Sequence, residues 1–376
     1  MKSCTRCLYD ENIPYIEFNE VGVCNYCLEY DKLCKLYPND ITGEKALAKL
    51  IEKIKRENCR NKYDVIIGLS GGCDSSYLLY RAKEMGLRIL AVHYDNHYDM
   101  PIAKENIKKM VTALNIDLET YSPDKAESDD IIRSALKASI PETDGATDLA
   151  LVVSLYHAAS RYNIKYILDG HSFRTEGISP QGWSYMDAKY IQSVQRKFGT
   201  YEIKTVPLLW MHKQLFWMII KRIKRIRLLY YLNYDKSYAK KYLHEQFGWE
   251  WYGGHHLENM SAYFYNNYYA PIKFGFDGRY VELASLVRSG QMSREDAVNE
   301  MKKPLYYDER LINEFITSIG LTENEFESYM KLPKKTYKDY KTYKKDFERY
   351  KWFFWLLANF NMVPMSFYIK FTKKYD

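Results

Sequence analysis

An apolar run that leads straight into a Ser/Gly loop constrains this chain more than any other feature. Tyr63-Asp64-Val65-Ile66-Ile67-Gly68-Leu69 reads as a buried parallel strand. Asp74 to Met85 reads as a helix closed by Gly86. Between them stands Ser70-Gly71-Gly72-Cys73-Asp74-Ser75-Ser76. Two adjacent glycines let backbone N–H groups approach an anion closely. The helix dipole and its unpaired N–H groups favour negative charge at the same place. Ser70, Ser75 and Ser76 add hydroxyl donors. Asp74 repels a bare phosphate and fits better beside a Mg²⁺ that travels with it. The Gly-Lys-[Ser/Thr] ending of a Walker A loop is missing.

Strands and helices then alternate. A helix over 43–58 carries Ala46, Leu47, Leu50, Ile51 and Ile54 on one face. After the strand at 64–69 come a helix at 75–85, a strand at 88–93, a helix at 102–114, a short strand near Leu118, a helix at about 147–162 and a strand at 165–169. This order predicts an α/β fold, a doubly wound parallel sheet whose ligands bind beyond the carboxyl ends of the strands. Three turns lie there: Ser70 onward, Tyr94-Asp95-Asn96, and Gly170-His171. Asp95 is a candidate for a ribose hydroxyl, or a plain turn former. From about residue 208 the alternation gives way to a mostly helical pattern. Ser293 with Asp296 and Thr322 with Glu325 mark helix starts. Lys221 to Arg227 reads as a basic helix face with Ile223 and Ile226 turned inward. The expected units are residues 1–35, 36–207 and 208–376.

The seven cysteines stand at 4, 7, 24, 27, 34, 59 and 73. Cys4-x₂-Cys7 and Cys24-x₂-Cys27 have the spacing of a closed four-thiolate zinc ribbon, which is structural because it leaves no open coordination position. Gly22 suits the tight turn of its second knuckle. Net charge is +7, an excess that permits a phosphorylated substrate or RNA and requires neither. No apolar leader follows Met1, and Trp352 to Tyr368 is broken by Asn359, Asn361 and Pro364, short of a membrane span. A cytoplasmic enzyme is expected.

The loop resembles the pyrophosphate-binding Ser-Gly-Gly-x-Asp-Ser loop of the ATP pyrophosphatase (PP-loop, adenine nucleotide alpha hydrolase-like) superfamily. Those enzymes adenylylate a carbonyl oxygen and let a nucleophile displace AMP. The resemblance implies that Asp169-Gly170-His171-Ser172-Phe173-Arg174-Thr175-Glu176-Gly177 lines the triphosphate, with Glu176 joining Asp74 on Mg²⁺ and Arg174 neutralising phosphate charge. Amidotransferases of the superfamily use ammonia. This chain has Lys2 where an N-terminal-nucleophile glutaminase needs Cys, and no cysteine follows Cys73. Ammonia would therefore be free or come from a glutaminase partner. tRNA sulfurtransferases of the superfamily are the rival reading. They typically need further catalytic-core cysteines, which residues 74–376 lack.

More closely, the chain resembles the N-acetyl sugar amidotransferases of bacterial surface-glycan biosynthesis. The likeness runs through both cysteine pairs, the Ser70–Ser76 loop, Arg174–Gly177, Trp183-Ser184-Tyr185-Met186-Asp187, and Leu286 to Ala297. It implies ATP, Mg²⁺ and Zn²⁺ as cofactors and no nucleic-acid partner. The substrate would be a UDP- or CMP-linked acetamido sugar of lipopolysaccharide or pseudaminic-acid (flagellin glycosylation) type. An O-adenylyl imidate would form and ammonia would convert it to an acetamidine. Ser70, Gly71, Gly72, Ser75 and Ser76 would hold pyrophosphate. Asp187 and His171 are candidates for a general base.

Overall fold

The computed structural model describes residues 2–180, 182–254, 256–360, 362–363, 368 and 371–372. Strands β1 (Val65–Gly68), β2 (Ile89–Tyr94), β3 (Asp117–Tyr121), β4 (Tyr166–Asp169) and β5 (Lys224–Arg227) run parallel in the order β3-β2-β1-β4-β5. β1 pairs Val65 with Ile89 on one side and Ile66 with Ile167 on the other. Successive β1 side chains go to opposite faces. Val65 and Ile67 join Leu47, Leu78 and Ile107, from α2 (Ile41–Glu57), α3 (Cys73–Glu84) and α4 (Pro101–Leu114). Ile66 joins Val153 and Ala158 of α6 (Gly145–Arg161). The sheet is covered on both faces, as the alternation predicts. The strand order reverses between β1 and β4, so a crevice opens at their carboxyl ends.

α1 (Asn25–Leu36) leads out of the cysteine ribbon. In α2 the Asp40 carboxylate caps the Thr42 and Gly43 N–H groups, and Leu47, Ile51 and Ile54 are buried as the spacing predicts. Three helices before residue 207 escaped the sequence reading: α1, α5 (Lys125–Ala138) and α7 (Ala188–Phe198). α5 hides its amphipathic pattern because three inward positions, Glu127, Asp129 and Asp130, are acidic. Glu127 accepts from the backbone N–H groups of Lys204, Thr205 and Val206, and Asp130 from those of Thr200 and Tyr201.

One expected helix is a strand. Residues 224–227 form β5 at the sheet edge, so the sheet extends past residue 207, the expected limit of its domain. Ile223 is buried as expected, but Lys224 and Arg225 are exposed on an unpaired edge, where basic side chains discourage further strand pairing. Past β5 the described chain is mostly helical. Ser293 caps the Arg294–Lys302 helix, and Thr322 with Glu325 forms a full capping box. No described helix is long and apolar enough to cross a membrane.

Candidate functional site

The Ser70–Ser76 loop joins β1 to α3 at the strand-order reversal. Gly71 has φ +80°, and Gly72 is the N-cap of α3. The Ser70 and Ser75 hydroxyls lie 3.2 Å apart, and the Gly72 N–H donates to Ser70 Oγ at 3.3 Å. The Gly71 carbonyl accepts from Trp249 Nε1 at 3.0 Å and from Asn106 Nδ2 at 3.4 Å. The loop is thus held from behind, while on its other side the Ser70 and Gly72 N–H groups are satisfied by the Ser75 and Ser70 hydroxyls. Gly170 packs against it: a Cβ there would lie 3.5 Å from the Ser75 nitrogen. Ser76 is fully buried on α3, and its hydroxyl finds no hydrogen-bond partner.

Asp74 sits in the first turn of α3. It accepts from the Tyr234 hydroxyl and pairs with Lys236 Nζ at 3.4 Å. Lys236 also reaches Glu282 at 3.8 Å. Burial disfavours the lysine's charge, but Asp74, Glu282 and Glu176 outweigh that and hold its pKa above the ordinary value. Glu176, which accepts from the Ser172 N–H at 3.2 Å, is pushed up to about 8 by burial and by the charge of Asp74. The structure therefore brings Asp74 and Glu176 into one field. Glu258 adds a third carboxylate: a Cβ on Gly72 would lie 3.7 Å from its Oε1 and 3.4 Å from the Tyr252 hydroxyl. Its Oε1 pairs with His256 Nδ1 at 3.3 Å, while its buried Oε2 has no hydrogen-bond partner. The three carboxylates lie around the loop without forming a closed ligand set: among the described residues, the groups whose donor atoms all lie within 4.8 Å of one another are the four ribbon cysteines and His93, Asp95 and Asp99.

Tyr234, Lys236, Tyr252, His256, Glu258 and Glu282 were not found by sequence reasoning. The only local signal was the Tyr252-Gly253-Gly254 turn.

Other expectations fare differently. His171 lies beside the loop at the end of β4. Its Nδ1 is 3.0 Å from the Tyr230 hydroxyl, and burial with the Arg227 charge pushes it down to about 4, so it is neutral. Asp95 ends β2 and makes the turn its alternative reading predicts, accepting from the His97 N–H at 2.8 Å and pairing with Lys104 at 3.3 Å. Arg174 is corrected. It is 4 % exposed, and its guanidinium donates to the Tyr230 and Tyr37 carbonyls at 2.9 and 2.8 Å, so those donors are spent on backbone. It also lines a cleft of about 390 Å³ with Tyr30, Asn233, Asp235, Ser289 and Gln291. Asp187 is corrected too. It caps α7, accepting from the Tyr190 N–H, the Tyr185 hydroxyl and the Tyr343 N–H at 2.6–2.7 Å. Both oxygens are committed to structure. Trp183 stacks on Phe276, with centroids 5.5 Å apart.

Cys4, Cys7, Cys24 and Cys27 are fully buried, and their sulfurs lie within 4.8 Å of one another. Cys4–Cys27 and Cys7–Cys24 are 3.8 and 3.7 Å apart. A tetrahedron with metal–sulfur bonds of about 2.3 Å has edges of about 3.8 Å, so the set fits a thiolate-bound metal. Arg288 donates to Cys27 and Cys7 sulfurs at 3.4 and 3.2 Å, and Arg294 to the Cys7 and Cys4 carbonyls. The late sequence motif around Leu286–Ala297 thus grips the ribbon.

Comparison with known proteins adds three likenesses. An uncharacterized protein of Methanocaldococcus jannaschii is 24 % identical over 310 residues, 80 % of this chain and 93 % of that protein. Among solved structures, an NMN synthetase from Francisella tularensis is 16 % identical (TM-score 0.27; 60 % of this chain, 93 % of that one). An NH3-dependent NAD synthetase from Campylobacter jejuni is 14 % identical (TM-score 0.30; 71 % and 99 %). At these TM-scores neither bears on the chemistry, and the fold stands on the strand order itself. Residues 258–354 match the C-terminal domain of LPS biosynthesis protein WbpG-like proteins. That match bears out the family read from the sequence and places residues 258–354 among the WbpG-like C-terminal domains of LPS biosynthesis proteins.

Proposed function

We propose that this protein is an ATP-dependent amidotransferase that turns the acetamido group of a nucleotide-activated sugar into an acetamidino group. The observation that carries the reading is the glycine loop at the β1/β4 crevice, with Asp74 in the first turn of α3 and close enough for its charge to raise the buried Glu176. Backbone N–H groups at Gly71, Gly72 and the first turn of α3, with the Ser70 and Ser75 hydroxyls, would hold the β- and γ-phosphates. Asp74 and Glu176 would hold Mg²⁺, with Glu258 in support; when bound, the ion neutralises charge on the phosphate oxygens. The polar cleft beside Asn233 and Asp235 continues from the segment that supplies Tyr234 and Lys236, and suits the sugar.

In the reaction the acetamido oxygen attacks the α-phosphorus. The bond to the β-phosphate oxygen breaks and pyrophosphate stays in the loop. Ammonia, from a separate glutaminase, adds to the imidate carbon, loses a proton, and expels AMP. The product is an amidinium, cationic at neutral pH. The Lys236 charge, held by Asp74 and Glu282, lies where it stabilises the leaving pyrophosphate. The four cysteines would hold Zn²⁺ as a structural ion.

The test supplies ATP, Mg²⁺, ammonium and a panel of UDP- and CMP-linked acetamido sugars, and reads AMP and product mass. One sugar should give AMP together with a product lighter by the difference between C=O and C=NH. Asp74→Asn should lower AMP formation by about 100-fold or more. AMP release that needs tRNA and a sulfur donor instead would overturn the reading.

A further inference from the structure

The helix Lys351–Asn359 is apolar on two sides. Phe354, Leu357 and Ala358 pack into the core with Trp217, Met218 and Ile223. The opposite side presents Trp352, Trp355 and Leu356, which are 64, 49 and 38 % exposed, and runs on to Phe360 at 73 %. Positions 352, 355, 356 and 360 follow helical spacing, so these side chains form one outward stripe. The segment Phe216–Ile220 joins the same core cluster through Trp217 and Met218, and itself leaves Phe216 and Ile220 45 and 67 % exposed. Basic side chains flank both segments: Lys221, Arg222 and Lys224 beside the second, and Lys345, Arg349 and Lys351 beside the first, all exposed. Residues 334–351 hold eight Lys or Arg against three Asp or Glu.

Single exposed apolar residues are ordinary, but two tryptophans, a leucine and a phenylalanine at helical spacing with a basic border are not. A second copy laid face to face would bring two basic borders together, which like-charge repulsion opposes. A bilayer with anionic headgroups satisfies both halves of the pattern. Indole and phenyl rings enter the headgroup–acyl boundary, while Lys and Arg meet the lipid charge. We propose that this face docks the protein onto an anionic membrane surface, lying on it without spanning it.

The experiment uses the full chain and vesicles of phosphatidylcholine alone or mixed with phosphatidylglycerol, with sedimentation as the readout. The protein should partition onto the mixed vesicles, with partition falling as salt rises. The pairs Trp352→Ser/Trp355→Ser and Lys345→Glu/Arg349→Glu should each lower partition by about tenfold or more, with melting temperature and AMP formation unchanged. Absence of binding, or equal binding to neutral and mixed vesicles, would overturn the proposal. So would a dimer in light scattering that the tryptophan pair of substitutions dissolves, since the face would then belong to a second copy.

Discussion

At Gly71 the backbone takes φ +80°, and a Cβ would stand 2.4 Å from the carbonyl oxygen of Ala103 in α4. Gly71→Ala must therefore strain the loop or displace the helix, and a backbone oxygen cannot swing aside as a side chain can. It should cost about 2 kcal/mol or more and abolish ATP binding, read by chemical denaturation and calorimetry. A second residue tests burial. Glu142 is buried under α7, accepts from the Tyr185 N–H and the Tyr190 hydroxyl, and is pushed by burial from 4.5 up to about 7. An acid whose folded pKa is raised stabilises the fold while protonated. Its contribution is complete below about pH 4.5 and is lost as pH rises through about 7. Glu142→Gln removes the titration and keeps an acceptor for the Tyr185 N–H, while its NH₂ group donates to the Tyr190 hydroxyl oxygen in place of the bond now accepted from it. It should flatten a fall of about 3 kcal/mol across that window in urea midpoints. The cysteine pairs and the glycine loop were legible in the sequence because their members lie within a few residues of one another. Lys236, Glu258 and Arg288 were not, because each acquires its meaning from a partner far away in the chain.

Elements were legible where periodicity and burial agree. β1 is apolar on both faces and α2 is striped, and both were found. α5 was missed because Glu127 and Asp130 sit where apolar residues would be expected, satisfied by loop N–H groups that no local pattern reveals. Residues 224–227 were misread because Lys-Arg-Ile-Arg suits a helix face and an edge strand equally, and pairing with β4 decides between them. α7 carries the test at this scale. Asp187→Ala removes its N-cap and leaves the half-buried Tyr343 N–H without its acceptor. It should lower stability by about 2 kcal/mol or more while leaving the KM for ATP unchanged in the surviving folded protein. A specific collapse of turnover in a fully folded Asp187→Asn protein would return that residue to the reaction.

Across the whole molecule, the amino-terminal ribbon leans on the Arg279–Arg288 and Arg294–Lys302 helices. Leu283, Ala284 and Ala297 share a core with the four cysteines. Metal removal should therefore loosen more than the first thirty-odd residues. A strong chelator should lower the melting temperature of the full chain and reduce ATP binding, because Glu282 on the same helix faces Lys236. Arg288→Met should speed metal loss to a competing dye, with affinity down by about 10- to 100-fold. The arrangement also has a consequence for how the protein is made. Asp74 leaves the ribosome in the company of the phosphate loop, but its hydrogen-bond donor Tyr234 follows 160 residues later and Glu282 later still. A growing chain thus displays the sheet and its glycine turn long before the groups that complete the pocket exist. Nascent and truncated chains that stop short of Glu282 should consume no ATP, and the chemistry should begin only after that residue has been made.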